Sequence, residues 1–326
     1  MNMAKRSSWA AIAAVALVLG TLHSAVAAEF PNRPITAIIP FAPGGPTDVA
    51  GRIVQPKVQE ILGQSLVLEN RGGATGTIGV NAVVRAAPDG HLLLLTADMP
   101  LTTAPALMSA PYDADRDLKV VGLFAEMSLM VMAHPRLGAS SLAELVEKIR
   151  QSPGRLSFAS AGAGSPAHLC IEAIASRSGF EMTHVPYRGG GPAMQALLAG
   201  EVDVFCGPVQ LGVPMVAAGR VTGLATTGSR RSAKAPAMPT LAEAGFQDLV
   251  VANWIGAFVP SATPEPVLAK LTAAFRAAHD DPEVRGKLEG AGFDVSWLTG
   301  ADAQRALAAE ADRWRRIIAD RKITAN

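Results

Sequence analysis

The sequence predicts an α/β chain of two lobes, each a mixed sheet flanked by helices, joined by a double crossover. Three observations predict it. Short apolar segments alternate with helical ones in two blocks, 35–97 and 156–227. Two long strand-like segments, 119–135 and 249–260, flank the second block, as strands passing between lobes would. Beyond 260 the apolar residues return to helical spacing. The expected first lobe is 28–123 with 251–326, and the second 124–250.

In the first block, ITAIIPF (35–41) reads as a short buried strand. Thr47-Asp48 reads as the cap of a helix to Leu62, with Pro56 expected to kink it. SLVLEN (65–70) is a strand, IGVNAVVRAA (78–87) a helix, and LLLLTA (92–97) a continuous apolar strand covered on both faces. After the long segment 119–135, Ser141-Leu142-Ala143-Glu144 is a capping box opening a helix to Arg150.

The second block gives strands at 156–161, 182–187, 202–206 and 222–227. Helices lie between them, from Pro166, at 192–200 and at 213–219. In the tail, Val267, Leu268, Leu271, Phe275 and Ala278 recur at helical spacing, as do Leu307, Ala311, Trp314 and Ile318. No internal repeat is present.

Composition narrows the function. The chain has 326 residues and is 49% hydrophobic, enough for two cores and too apolar for disorder. Lys+Arg at 29 against Asp+Glu at 28 leaves no basic surplus for nucleic acid.

The apolar excess has a place at the front. Lys5 and Arg6 precede the apolar stretch Trp9–Gly20, and Ala25-Val26-Ala27 offers small residues for cleavage, so 1–27 reads as a signal peptide. Cleavage after Ala28 also fits. The alternative, a membrane anchor, is short for spanning a bilayer. No Cys lies at the cut, which excludes a lipoprotein and leaves a periplasmic product. The mature chain then carries 29 − 2 = 27 basic and 28 acidic residues, so net charge steers little.

Cys170 and Cys206 are the only two cysteines. In an oxidising compartment they suggest a disulfide, with two buried thiols as the alternative. Neither has partners at metal-ligand spacing, so no metal is expected.

The functional signal is in five turns, each at an expected strand C-terminal end, where α/β sheets bind ligands. FAPGGPTD (41–48) carries Gly44 and Gly45 for close backbone approach and opens a helix whose first N–H groups favour an anion. ASAGAGSPAH (159–168) repeats the logic, with Ser165 at the N-cap and Pro166 at N1. There Gly162, Gly164 and Ser165 read as donors, and His168 as either a ligand donor or a structural side chain. VPYRGGGPA (185–193) adds Tyr187, CGPVQ (206–210) adds Gly207, and TADMP (96–100) adds Thr96.

The second turn also spells G-x-G-x-x-A, but no acid follows the next strand to hold a ribose, so no nucleotide cofactor is expected. No nucleophile elbow, H-E-x-x-H or P-loop is present, and the histidines at 91, 134, 168, 184 and 279 form no close pair along the chain. The chain therefore reads as a binder, not an enzyme.

These turns, in this order, resemble the tripartite tricarboxylate transporter receptors, the Bug or TctC-like solute-binding proteins. The resemblance runs from FPNRPITAIIPFAPGGPTDVAGR (30–52) through LVLENRGGATGTIGVNAVVRAAPDGHLLLLT (66–96), PYDADRDL (111–118), LSFASAGAGSPAHL (156–169) and THVPYRGGGPAMQALLAGEVDVF (183–205). It continues to MPTLAEAG (238–245) and NWIGAFVPSATPEPVLAKL (253–271).

The resemblance implies a type II-like periplasmic-binding-protein fold closing on a small carboxylate, a di- or tricarboxylate or an aromatic acid. It also implies a transient membrane permease partner and a monomer. Carried over, it points to Pro43, Gly44, Gly45, Thr47 and Asp48 on one lobe, and to Ala161, Gly162, Gly164, Ser165 and His168 on the other. Tyr187 and Trp254 match further positions, Trp254 with a hinge role as its alternative.

Two departures stand out: Gly207 where many members carry Asp, which weakens an amino-acid ligand, and Ala163 where Asn is frequent. The cysteine pair matches one found in some members. A sensor of the bound acid for a signalling receptor is the second reading, and an exported enzyme using the same cleft the third. The basic tail residues Arg313, Arg315, Arg316, Arg321 and Lys322 read as solvated helix charges.

Overall fold

A computed structural model describes residues 30–247 and 249–324. The signal-peptide reading of 1–27 lies outside the described residues. In the first block, strands β1 (Ile35–Ile39), β2 (Leu66–Asn70) and β3 (Leu92–Ala97) pair in parallel in the order β2-β1-β3. Helices α1 (Pro46–Leu62) and α2 (Thr77–Val84) return the chain between them. The edge strand β2 alternates in burial while β1 and β3 are buried nearly throughout, as expected for one-sided and two-sided cover.

Three short turns follow: α3 (Met99–Thr102), α4 (Ala104–Leu107) and α5 (Ala114–Asp117). The second block is α6 (Leu142–Arg150), β5 (Ser157–Ser160), α7 (Pro166–Ser178), β6 (Thr183–Pro186), α8 (Gly190–Ala199), β7 (Val204–Pro208), α9 (Val209–Ala217) and β8 (Thr222–Thr226). Strands β6, β5 and β7 are parallel neighbours.

One long strand joins the two sheets. β4 (Leu118–Ala133) pairs antiparallel with β9 (Ala252–Pro260) from Leu118↔Pro260 to Ser128↔Ala252. From Leu129 onward it pairs with β7 and β8. The chain changes lobe at Ser128–Leu129 and returns between Thr227 and Val251.

Fully buried Thr227 clasps both crossings. Its Oγ1 accepts the Leu129 N–H at 2.9 Å and donates to the Val251 carbonyl at 2.6 Å. Asp294, from the tail, adds a second clasp, accepting from Ser128 at 2.7 Å and from Ser232 at 3.1 Å.

The tail packs on both lobes. α10 (Glu265–Asp280) and α11 (Pro282–Gly290) bury Leu271, Phe275, Ala278 and Leu288 against β1, β3 and β4. α12 (Gly300–Asp320) divides its apolar face. Ala303 and Leu307 pack with Val120 and Phe258 of the first sheet, while Trp314 and Ile318 pack with Leu169 and Phe158 of the second block.

Several local expectations are corrected. Neither Thr47 nor Asp48 caps α1: the N-cap is Gly45, with no side-chain cap, and Pro46 is at N1. α1 runs through Pro56, which faces solvent, so its missing N–H and ring are accommodated outside the core. The tail charges are not all solvated: Arg313 lies half-buried over Trp314, and Arg321 pairs with Glu172 on α7 at 2.5 Å. Long stems cover apolar surface while their heads find buried carboxylates. Among the described residues no helix is long and apolar enough to cross a membrane, and no cluster could hold a metal ion.

Candidate functional site

Strand β1 ends at Ile39, and the chain turns through Phe41–Gly45 into α1. Gly44 has φ of +80°, a left-handed conformation that disfavours any side chain. Asp48, 2% exposed, organises the turn from within. Its carboxylate accepts the Gly44 N–H at 2.9 Å, both arms of Arg52 at 2.9 and 3.0 Å, and the Asn70 amide at 3.1 Å. Arg52 above all, then Gly44 and Asn70, hold this carboxyl below the usual carboxylate range against the opposing effect of burial.

The charge of Asp48 is thus matched inside the lobe. With the first intrahelical bond made by Val49, the N–H groups of Thr47 and Asp48 make no hydrogen bond among the described residues.

The second-lobe turn follows β5 and opens α7, with Ser165 at the N-cap accepting the His168 N–H at 3.3 Å and Pro166 at N1. Three donors expected to face a ligand have acceptors within the lobe. The Gly162 N–H donates to Ser160 Oγ at 3.0 Å, Gly164 N–H to His168 Nδ1 at 3.0 Å, and Ser165 N–H to the Gly162 carbonyl at 3.2 Å. The N–H groups of Ala161, Ala163 and Ala167 make no hydrogen bond among the described residues.

His168 is buried and stacks on His184 with ring centroids 3.7 Å apart. The fold therefore makes a histidine pair that spacing along the chain did not show. His184 Nε2 lies 2.7 Å from Ser160 Oγ, and burial, with His168 beside it, lowers its pKa to about 4. Ser160 is fully buried, so this Ser–His contact meets no substrate and braces the turn. The Cys170–Cys206 disulfide ties α7 to β7 just behind it.

The first turn lines a cavity of about 410 Å³ that the second turn reaches only through Pro166. Its wall takes Pro43, Gly44, Gly45 and Thr47 from the first turn, Pro166 from the second, and Ala97, Met99, Asn253 and Ile255 from the ends of β3 and β9. Asn253 was missed. Strand alternation is the signal that finds it, since residues 253 and 255 share a face and 254 takes the other.

Other expected residues lie elsewhere. Thr96 is fully buried, its hydroxyl donating to the Ala97 carbonyl at 3.0 Å. Tyr187 leans on the second-block core near Glu201, with burial first and that carboxylate second raising its pKa. Gly207 faces the Phe205 ring: a Cβ at Gly207 would stand 2.2 Å from Phe205 Cε1, which accounts for the absence of an acid there.

Trp254 opens instead on a separate cavity of about 320 Å³ beside Glu126, Glu310 and Arg313. Its indole donates to Glu310 Oε2 at 2.6 Å, and the Trp314 indole to Oε1 at 3.1 Å. Burial and the Glu310 carboxylate push Asp98, 3% exposed, well above the usual carboxylate range. Burial also raises Glu310, against the pull of the indoles and Arg313. These groups belong to the seam between α12 and both sheets.

Comparison with known proteins shows the family and the fold. The model of a family described as tripartite tricarboxylate transporter family receptor matches residues 50–323. A UPF0065 protein from the tcbD-tcbE intergenic region of a Pseudomonas species is 34% identical over 330 residues, covering 100% of this chain and 97% of the relative. MatC from Rhodopseudomonas palustris, solved with bound malate, superposes with a TM-score of 0.69 at 33% identity, over 89% of this chain and 100% of that one. An R. palustris protein solved with adipate gives 0.74 at 28% identity, over 91% and 100%.

Proposed function

The chain belongs to the tripartite tricarboxylate transporter receptor family, and from that premise we propose that it captures a small carboxylate between its lobes and hands it to a membrane permease. The observation that carries this reading is that the N-terminal turn of α1 and Pro166, the first residue of α7 on the other lobe, line the same cavity. A helix N-terminus offers unpaired N–H groups and a partial positive charge, which suits an organic anion without a counter-ion. MatC with malate and the R. palustris protein with adipate support the same ligand class.

The mechanism follows from the two helix ends. A ligand held by α1 alone gains half its hydrogen bonds, and contacts from α7 are added only when the lobes meet, so binding favours the closed pair. Each charge-assisted bond contributes roughly 1.5–3 kcal/mol when well placed. The closed pair is what the permease recognises. Receptors of this family act in the periplasm with permease subunits. For this chain the reading adds cleavage after Ala27 and action as a monomer.

Gly45 supplies the test. A Cβ there meets only the Ala42 carbonyl, at 3.4 Å, so Gly45→Val leaves the fold standing while projecting a branched side chain into the cavity. Thermal-shift and fluorescence titration with a panel of organic acids is expected to show saturable binding by the native chain and none by the variant. Absence of saturable binding by the native chain across the panel, or undiminished affinity in Gly45→Val, overturns the reading.

A further inference from the structure

We propose that Arg321 and Glu172, which do not line the cavity, are positioning residues for the ligand: through the His168 ring they fix the second-lobe turn in the form that presents its open N–H groups. The inference rests on the carboxylate-capture reading above and adds residues that act on the site without touching it.

The path begins at the turn. The Gly164 N–H donates to His168 Nδ1 at 3.0 Å. A ring nitrogen that accepts carries no hydrogen, so the ring hydrogen is on Nε2. Nε2 faces Glu172 Oε1 at 3.7 Å. His168 and Glu172 stand four residues apart on α7 and so share one face of the helix. The other carboxylate oxygen, Oε2, accepts from Arg321 Nε at 2.5 Å, across 149 residues of chain. The groups thus run in series from the turn to the end of α12.

The surroundings hold this series in place. His168 and Glu172 are buried, and the Arg321 side chain is 23% exposed. Behind Arg321, Ile318 packs in the second-block core, and the Ile323 N–H donates to the Ile318 carbonyl at 2.9 Å. Stacking on His184 sets the plane of the His168 ring. Stacking does not decide which ring nitrogen bears the hydrogen; the carboxylate facing Nε2 does.

The turn depends on that choice. Gly164 has φ of +71°, and Leu107 occupies the space where a Cβ would stand, so the residue is confined on that side. A hydrogen on Nδ1 would set donor against donor and leave the Gly164 N–H without its acceptor. Gly164 lies between Ala163, whose N–H is open, and Pro166, which lines the cavity. Its displacement moves both.

Isothermal titration and nitrogen NMR of the histidine rings, at one fixed pH on the purified mature chain and its variants, test the proposal. The probes are the organic acids of the panel above, with malate, adipate and benzoate among them. Arg321→Gln is expected to weaken every acid that the native chain binds by about fivefold, as for a turn left competent in about a fifth of the molecules. The His168 Nδ1 signal, unprotonated in the native chain, is expected to move toward the protonated range. Arg321→Lys keeps the cation and should restore most of the affinity. Glu172→Gln should match Arg321→Gln, and the double variant should lose no more than either alone.

A contact that only stabilised the fold would leave affinity unchanged at temperatures where nearly every molecule is folded. Unchanged affinity in Arg321→Gln therefore overturns the proposal and leaves carboxylate capture standing. Weakened affinity with the His168 signal unmoved also overturns it, because the effect then bypasses the ring. If the native chain binds no acid of the panel, carboxylate capture falls and this inference falls with it.

Discussion

The two turns that meet at the cavity share a plan and differ in what braces them. Each follows a parallel strand, passes through a positive-φ glycine and enters a helix with Pro at N1. The first-lobe turn is organised by a buried carboxylate, Asp48, tied to a cation and two amides. The second-lobe turn is organised by Ser160 and the stacked His168 and His184, with a disulfide behind them. The same anion-accepting backbone can thus be fixed by a charge whose field is cancelled locally or by a hydroxyl and a stacked pair of rings. The first brace is insensitive to pH until the carboxylate range, and the second fails earlier in acid.

The largest test of this contrast is the disulfide. Its 36-residue separation gives a loop worth about 4 kcal/mol by chain entropy. Cys170→Ala with Cys206→Ala is expected to lower stability by about 3–4 kcal/mol, and to do so through the second lobe. Hydrogen exchange would show loss of protection concentrated in β5, α7 and β7. Equal loss in β1–β3 would mean the lobes unfold as one unit and the contrast is not energetic.

Next comes Asp48→Ala. It strands the Gly44 N–H and the Asn70 amide, and Arg52 is exposed enough to rehydrate, so denaturant unfolding should show a loss of about 2–3 kcal/mol with weakened ligand binding. Arg52→Gln should cost less than Asp48→Ala because the Arg52 side chain is half in water and a glutamine amide still offers Asp48 a donor. Asp48's folded pKa is depressed, so its contribution is present above its ordinary value of 3.8 and is lost as pH falls through the folded one.

His184 acts in the same direction in a higher window. Its folded pKa is about 4 against an ordinary 6.5, so the unfolded chain binds the extra proton and stability falls as pH drops from 6.5 toward 4. Discounted for a half-exposed ring, the effect is about 1 kcal/mol. His184→Asn should flatten that stretch of the pH–stability curve; an unchanged slope would locate the acid sensitivity elsewhere.

The last test is at Asp98. Its folded pKa is raised, so the native chain loses stability as pH rises above 3.8, and Asp98→Asn should melt slightly higher than the native chain at pH 8 and equally at pH 3. A lower melting temperature at pH 8 would show that the charged form is matched in the seam.

Much of this was legible along the chain. Alternating periodicities placed nearly every strand within a residue or two, because burial on one or two faces leaves a period of 2 or an unbroken apolar run. Ser165 and Pro166 announced the start of α7, since N-cap and N1 preferences are local. Glycine turns marked the cleft because only a tight turn at a strand end needs them there. The direction of the N–H groups was not legible. Gly162 and Gly164 looked like donors to a ligand, yet Ser160 and His168 take their protons. Asn253 and Trp254 are adjacent in sequence and open on different cavities, a distinction set by strand register.

By itself the sequence determined the two-block α/β plan, the family, and the placing of the two glycine turns at strand ends, because these depend on periodicity and local backbone preference. Only the tertiary structure decided which side chains brace those turns, which N–H groups remain open, and that the final helix belongs to both lobes. Those outcomes depend on pairings between residues far apart in the chain, such as Asp48 with Asn70 and Arg321 with Glu172, whose partners are set by packing and not by spacing.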